Sequence, residues 1–476
     1  MAPNFEDLRA LLKEGDVLVP GDAGYDDSLK RWSATSVKPA AAVARPKNAS
    51  EASAIVKFAT KNSVPLQVRG GGHNPSGESS AATPETMILD LAHMCSVSVD
   101  PSAQTVTYGG GCTWEDVDNA LWEHKLATIG GTVSHTGVGG LVLGGGYGML
   151  SGRHGMAVDV LVSCEVVLAN GDVVTASEDE NADLFWALRG AGSSFGVVTH
   201  FTSRAFPQGE VWGGLMAWPF DFLPQLVDFV NEYHGKIDGD QWFMPMVMCD
   251  RATGARLCGA SVFYNGSAED GQAFYKPLLD LQPRLMDTTA KIPYPVVNTM
   301  TNPMATPGRR YMFGGANFTC PLDLQTMKDA AEEYYNGVNK PGNEEIRTSA
   351  FALEVIPQGK IIEYGKEDKT SFAGRAGKYT VVLIMSWDNE DRDQEARDIA
   401  TKVSGVFKAK YGKRDAEAEG ADTYYNYLNP DVPTDRAAMK TGRLFGNKAP
   451  RLRELKAKYD PTNVFFKNVN LMPLEN

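Results

Sequence analysis

The run Arg69-Gly70-Gly71-Gly72-His73 closes the apolar stretch Val64-Pro65-Leu66-Gln67-Val68 and combines a bare backbone turn with a cation and an imidazole. Glycine amides without side chains can wrap a phosphate, and a neutral histidine is a nucleophile. The turn therefore suits a nucleotide cofactor. A second constellation, Tyr424-Tyr425-Asn426-Tyr427, offers phenols for proton chemistry, although aromatic runs also build cores. All seven histidines (73, 93, 124, 135, 154, 200 and 234) lie in the first half, so a base from the later half must be a carboxylate, tyrosine or lysine.

The elements that must position these groups alternate strand, glycine loop and helix through the first two hundred residues. Asn48-Ala-Ser-Glu51 reads as a capping box opening a helix to about Asn62. Strands are expected at Val64–Val68, Thr86–Leu91 and Thr105–Tyr108, then a helix from Thr113 with Trp114, Val117, Leu121 and Trp122 on one face. A second glycine cluster spans Gly137–Gly148, and a strand is expected at Val160–Leu168. A third cluster, Arg189–Val198, follows a short helix at Asp183–Leu188. Beyond Pro207 helical patterns fall near 268–283, 322–336 and 391–409, with strands at Phe351–Ile356 and Tyr379–Ser386. That is the texture of a sheet covered by helices on one face.

Familiar phosphate-binding signatures fail. The Rossmann pattern places Val142 and Phe195 where its third glycine belongs, and no Gly-Lys pair is followed by Ser or Thr as a P-loop requires. With 476 residues, 43% apolar and 22% charged, the chain reads as a globular protein of more than one domain. A net charge of -13 argues against nucleic acid or an anionic membrane as partner. The six scattered cysteines lack metal-ligand spacing and read as small buried hydrophobes. No signal sequence or membrane span is visible, so a cytoplasmic protein is expected, three N-x-[ST] sequons notwithstanding.

Together these motifs resemble the vanillyl-alcohol-oxidase (PCMH-type) flavoproteins, in the berberine-bridge-enzyme-like group. Arg69–His73 is similar to the family's Arg-Ser/Gly-Gly-Gly-His signature, Ile88–Leu91 to the strand after it, and Gly137–Gly148 to its flavin loop. Asp183–Gly190 with Gly196, Val197 and Val198 resembles the closing strand region. Tyr424–Tyr427, Phe445-Gly-Asn447 and Arg451–Phe465 match the C-terminal part. The resemblance implies an α+β, two-domain PCMH-type FAD-binding fold with a substrate domain built on an antiparallel sheet covered by helices. The expected boundaries are 1–207 for the FAD domain, 208–420 for the substrate domain and 421–476 for a segment returning to the FAD domain.

It further implies FAD bound covalently through His73, with Arg69, Gly70, Gly71, Gly72, Asn74, Thr132, Val133, His135, Thr136, Gly137, Gly139, Gly140, Gly145, Tyr147, Gly148, Gly196, Val197, Val198, Asn426 and Asn447 around it. Relatives with a second link carry a cysteine where Val133 stands here, so one histidyl bond and no cysteinyl bond is expected. Relatives that oxidise sugars often have Ser-Tyr after the signature histidine, where this chain has Asn74-Pro75, and Thr136 stands where relatives often have Val or Leu near the oxygen path. By carry-over Tyr427 is the base, with Tyr424 and Asn426 beside it, and Glu354 is its partner or the alternative base. Arg309, Arg310 and Tyr425 are candidate substrate contacts. The expected activity is oxidation of a small alcohol, amine or secondary metabolite with dioxygen as acceptor. The alternatives are a carbohydrate oxidase, a dehydrogenase with poor oxygen reactivity, and a non-redox flavin scaffold or cyclase.

Overall fold

The computed structural model describes residues 3–77, 79–375, 377–412, 424–427, 441–442, 444–466 and 471–472. Its first sheet orders Asp16–Leu18, Ala42–Arg45, Met87–Asp90 and Leu66–Arg69, the last three mutually parallel. A second, antiparallel sheet orders Val97–Asp100, Thr105–Gly109, Val197–Arg204, Leu161–Val167 and Val173–Ser177. The expected strand at Val64 begins at Leu66 instead, directly after Pro65, which has no amide to give a ladder.

Helix Ala49–Lys61 starts where expected, its N-cap Asn48 accepting from the amide of Glu51 at 3.0 Å. The reciprocal half of the expected capping box is not made. The Glu51 carboxylate instead accepts from the amides of Lys13, Glu14, Gly15 and Lys47, tying the N-terminal segment to the helix start. A complete box occurs at Thr113, whose hydroxyl caps Asp116 while the Asp116 carboxylate accepts from the Thr113 amide, opening helix Trp114–Trp122.

The third sheet is antiparallel and orders Met286–Asp287, Val211–Pro219, Arg256–Tyr264, Gln241–Cys249, Ala350–Glu354, Tyr379–Trp387 and Arg310–Phe318, so the last of these is an edge strand. Strand alternation divides its two faces. Phe243, Val247, Phe351, Leu353, Val381 and Leu383 are buried with side chains of helices Leu223–Tyr233, Leu324–Val338 and Asp393–Tyr411. The intervening residues project to the opposite face, toward the first two sheets. The architecture is thus α+β, with the large sheet held between a helical layer and the N-terminal sheets.

Helix Ala449–Tyr459 returns to pack on helix Ala182–Ala191. Its Lys456, fully buried, donates to Asp460 (2.6 Å) and to the carbonyls of Ser194 (2.8 Å) and Phe465 (2.9 Å). Asp460 in turn accepts from the amides of Val464 and Phe465. One satisfied buried ion pair so fixes the chain beyond the helix against the loop that leads into strand Val197–Arg204.

Candidate active site

Strand Leu66–Arg69 delivers the glycine turn to the rim of a cavity of about 290 Å³. Gly70, Gly71, Gly72, His73 and Asn74 line it on one side, and Gly137, Gly139 and Gly140 on another. The two glycine clusters touch: a Cβ on Gly71 would lie 2.4 Å from the Gly137 Cα, and one on Gly137 would lie 2.5 Å from the Gly71 Cα. Both residues must be glycine for the backbones to meet.

Behind the turn, Arg69 donates to Asp90 (2.8 Å) and the Ser28 carbonyl (2.9 Å). Arg31, almost fully buried, donates to the carbonyls of Ser28 and Ser79. Burial, and then the neighbouring Arg69, pull the Arg31 guanidinium down to about 9. Among the described residues the Arg69 Nε is buried with no partner. Two guanidinium groups here share one close carboxylate, so the turn carries excess positive potential beside a cradle of bare amides. Those features fit the diphosphate of a dinucleotide.

His73 stacks on Trp32 (centroids 4.2 Å apart), which stacks on Tyr311 (3.9 Å). Its Nε2 lies 3.1 Å from Nδ1 of His135. Burial, and then the second imidazole, lower the His73 pKa to about 3, and burial lowers that of His135 as well. His73 is therefore neutral at physiological pH. Thr132, Val133 and Thr136 line the cavity, and none of the six cysteines is among its lining residues. His135 supports His73 without lining the cavity itself.

The large sheet carries three cross-strand rows on its cavity side, the first two forming the floor and the third contributing Glu354. Ala350, Ile384 and Phe313 are register partners, as are Ala352, Val382 and Gly315, with Met246 opposite Ala352. The third row is Glu354, Thr380 and Asn317. Glu354, 4% exposed, accepts from the Tyr147 hydroxyl through Oε2 (2.5 Å) and the Tyr427 hydroxyl through Oε1 (2.9 Å). Burial pushes its carboxyl up to about 7, with the two hydrogen bonds opposing the rise. Burial first, and the Glu354 charge second, hold the phenols of Tyr147 and Tyr427 well above the usual tyrosine range.

Tyr424 packs at 4.6 Å from Tyr147 and 5.0 Å from Tyr427. Its hydroxyl accepts from the Gly146 amide (3.2 Å) and from Asn426 Nδ2 (2.8 Å), and Asn426 also reaches the Leu141 carbonyl. The C-terminal tyrosines are thereby pinned to the glycine loop. Tyr147, expected only as a cofactor contact, supplies the second donor to Glu354, a role that Gly146-Tyr147-Gly148 does not announce in sequence.

Other candidates fall elsewhere. Arg309 pairs with Asp388 and Arg310 with Asp393, and neither lines the cavity, so the expectation that they anchor substrate is corrected. Asn447 is exposed on the short turn Gly446–Lys448 and also lies off the cavity. Gly145, Gly148 and Val197 pack behind the lining: a Cβ on Gly145 would meet Phe372, one on Gly148 would meet the Gly130 carbonyl, and Val197 is fully buried. Gly196 and Val198 do line the cavity. The Tyr425 side chain lies outside the described residues.

The sequence reading missed the apolar floor, chiefly Met244, Met246, Ala352, Val382, Ile384 and Phe313. Their signal was strand alternation, visible in Met244-x-Met246-x-Met248 but indistinguishable there from ordinary core.

Residues 40–177 match the FAD binding domain family and residues 423–471 the berberine and berberine-like family. An FAD-linked oxidoreductase of Aspergillus terreus, pgmH, is 32% identical, covering 99% of this chain and 96% of its own. This chain belongs to the FAD-linked oxidoreductases of the berberine-bridge-like, PCMH type. The enzyme shares its fold with 6-hydroxy-D-nicotine oxidase from Arthrobacter nicotinovorans (TM-score 0.83, 24% identity, covering 98% and 99% of the two chains). It likewise resembles the xylooligosaccharide oxidase from Myceliophthora thermophila (TM-score 0.79, 22% identity, 99% of each chain). FAD is the cofactor that the charged glycine cradle fits. No helix among the described residues is long and apolar enough to cross a membrane.

The Gly71–Gly137 contact yields a direct expectation. Gly71→Ala forces the two backbones apart and destabilises the fold by about 1–3 kcal/mol, the usual cost of overpacking, with reduced flavin content. Urea denaturation and the flavin-to-protein absorbance ratio check it, and an unchanged midpoint and ratio contradict it.

Proposed function

We propose that this FAD-linked oxidoreductase is an oxidase of a small, largely apolar alcohol or amine, with FAD attached through His73 alone and Glu354 as the proton acceptor. The observation that carries the reading is the buried carboxylate on the cavity floor, hydrogen-bonded by two phenols and lining the same cavity as the glycine cradle. Bound FAD supplies the hydride acceptor and, on reoxidation by dioxygen, the route to hydrogen peroxide.

The rest is done by the chain's own side chains. Tyr427 donates to Glu354 Oε1 and presents its oxygen to a substrate hydroxyl. As that hydroxyl gives its proton to the Tyr427 oxygen, the phenolic proton passes to Glu354. Tyr427 alone is a poor base, since burial and the neighbouring carboxylate both resist a free phenolate. The relay avoids that state, because the net acceptor is a carboxylate whose pKa of about 7 is matched to neutral pH. Tyr147 holds the other carboxylate oxygen and fixes its direction.

The floor presents methyl, thioether and phenyl groups in its first two rows. A polyol laid on it would leave hydroxyls unpaired at about 1–3 kcal/mol each, which disfavours the carbohydrate reading and supports an apolar donor. A neutral His73 that donates from Nε2 to His135 keeps its lone pair on Nδ1, the state required to bond a flavin carbon.

Two tests follow. Acid-precipitated protein is expected to keep its yellow colour and flavin fluorescence, and His73→Ala to release both into the supernatant; colour that leaves the wild-type pellet contradicts the covalent link. With a donor found by oxygen uptake across aromatic and aliphatic alcohols and amines, the rate of flavin reduction should rise with pH through about 7 as Glu354 ionises. Glu354→Gln is expected to lose that limb and about 10²–10⁴ in rate, the range for a general base. Tyr427→Phe removes a hydrogen bond to the charged form, so its limb should move to higher pH. A Glu354→Gln profile identical to wild type removes Glu354 as the base.

A further inference from the structure

A second cavity, of about 60 Å³, lies against the same carboxylate and shares Glu354, Tyr147 and Tyr424 with the first. Since about 10–15 Å³ admits one water, this space has room for several. Asn317, Gln358, Lys378 and Thr380 supply its polar lining, and the exposed Gly374 lies on its wall. None of those five lines the larger cavity.

The strand register explains the separation. The first two rows of the sheet face are apolar and floor the larger cavity. The third, Glu354–Thr380–Asn317, steps across three neighbouring strands and ends on the edge strand Arg310–Phe318. Directly opposed residues share a face, so carboxylate, hydroxyl and amide form one polar row from the buried site to the sheet edge. A proton delivered to Glu354 from the front must leave before the next turnover, and the front is then filled by product and cofactor.

We propose that this rear cavity is the proton exit: Glu354 passes its proton to water held along Thr380 and Asn317, regenerating the carboxylate without opening the substrate cavity. The step is a simple transfer, the carboxyl O–H breaking as the water O–H forms and the charge leaving through solvent. Tyr147, Tyr424, Tyr427 and Lys378 are the other titratable groups around this route. The role rests on Glu354 as proton acceptor. Its test needs no turnover, so the exit and the base assignment fail separately.

The holoenzyme is transferred to D2O buffer at about pH 5, where a carboxyl with a pKa of about 7 is protonated, and the Glu354 carboxyl stretch is followed by infrared spectroscopy. The band is identified by its loss in Glu354→Gln. Asn317→Leu and Thr380→Val, two independent changes to the rear row, are each expected to slow deuteration of that band on the order of tenfold. Ala352→Leu, which fills the front floor, should leave it unchanged. Wild-type exchange rates in both rear variants, or equal slowing by Ala352→Leu, overturn the exit.

Discussion

The burial of one carboxylate organises the large-sheet side of the cavity. An ionised Glu354 on an apolar sheet face is costly unless its oxygens are hydrogen-bonded, and the donors come from far apart in sequence: Tyr147 from the glycine loop and Tyr427 from the C-terminal segment. Satisfying that group therefore draws three pieces of chain to one point. The same condition explains why Tyr424 and Asn426 bind the glycine loop through Gly146 and Leu141, since the phenols must be held where the carboxylate needs them.

A second constraint shapes the cofactor side. The contact between Gly71 and Gly137 lets two backbone turns meet, and the guanidinium groups of Arg31 and Arg69 lie behind the first of them, off the cavity wall. Cradle and carboxylate line one and the same cavity. The alternating faces of the large sheet make this possible. One set of side chains packs on helices, while the other is free to carry a floor that changes from apolar to polar along three rows.

Much of this was legible in the sequence because the chemistry depends on rare local patterns. Three consecutive glycines between Arg and His, and a Tyr-x-Asn-Tyr run, remain visible whatever surrounds them. Glu354 was noticeable as a charge in an otherwise apolar strand. What stayed hidden were relations between distant segments. Nothing local to Tyr147 indicates that its hydroxyl reaches Glu354, and nothing in Arg309-Arg310 indicates that Asp388 and Asp393 already pair with them. The apolar floor was invisible for the opposite reason, since Met246, Ala352 and Val382 have the same side chains as core and differ only in which face they take. Glu51 shows the limit on a small scale. Its spacing from Asn48 promised a local cap, and the tertiary fold gave its carboxylate to the amides of residues 13–15.

The proposed proton transfer depends on the protonation state of Glu354, and the most direct measurement is a pH titration of its carboxyl stretch by infrared difference spectroscopy, assigned with Glu354→Gln. Burial against two phenol donors predicts a midpoint of about 7. A midpoint at the ordinary carboxylate value of 4.5 would contradict it.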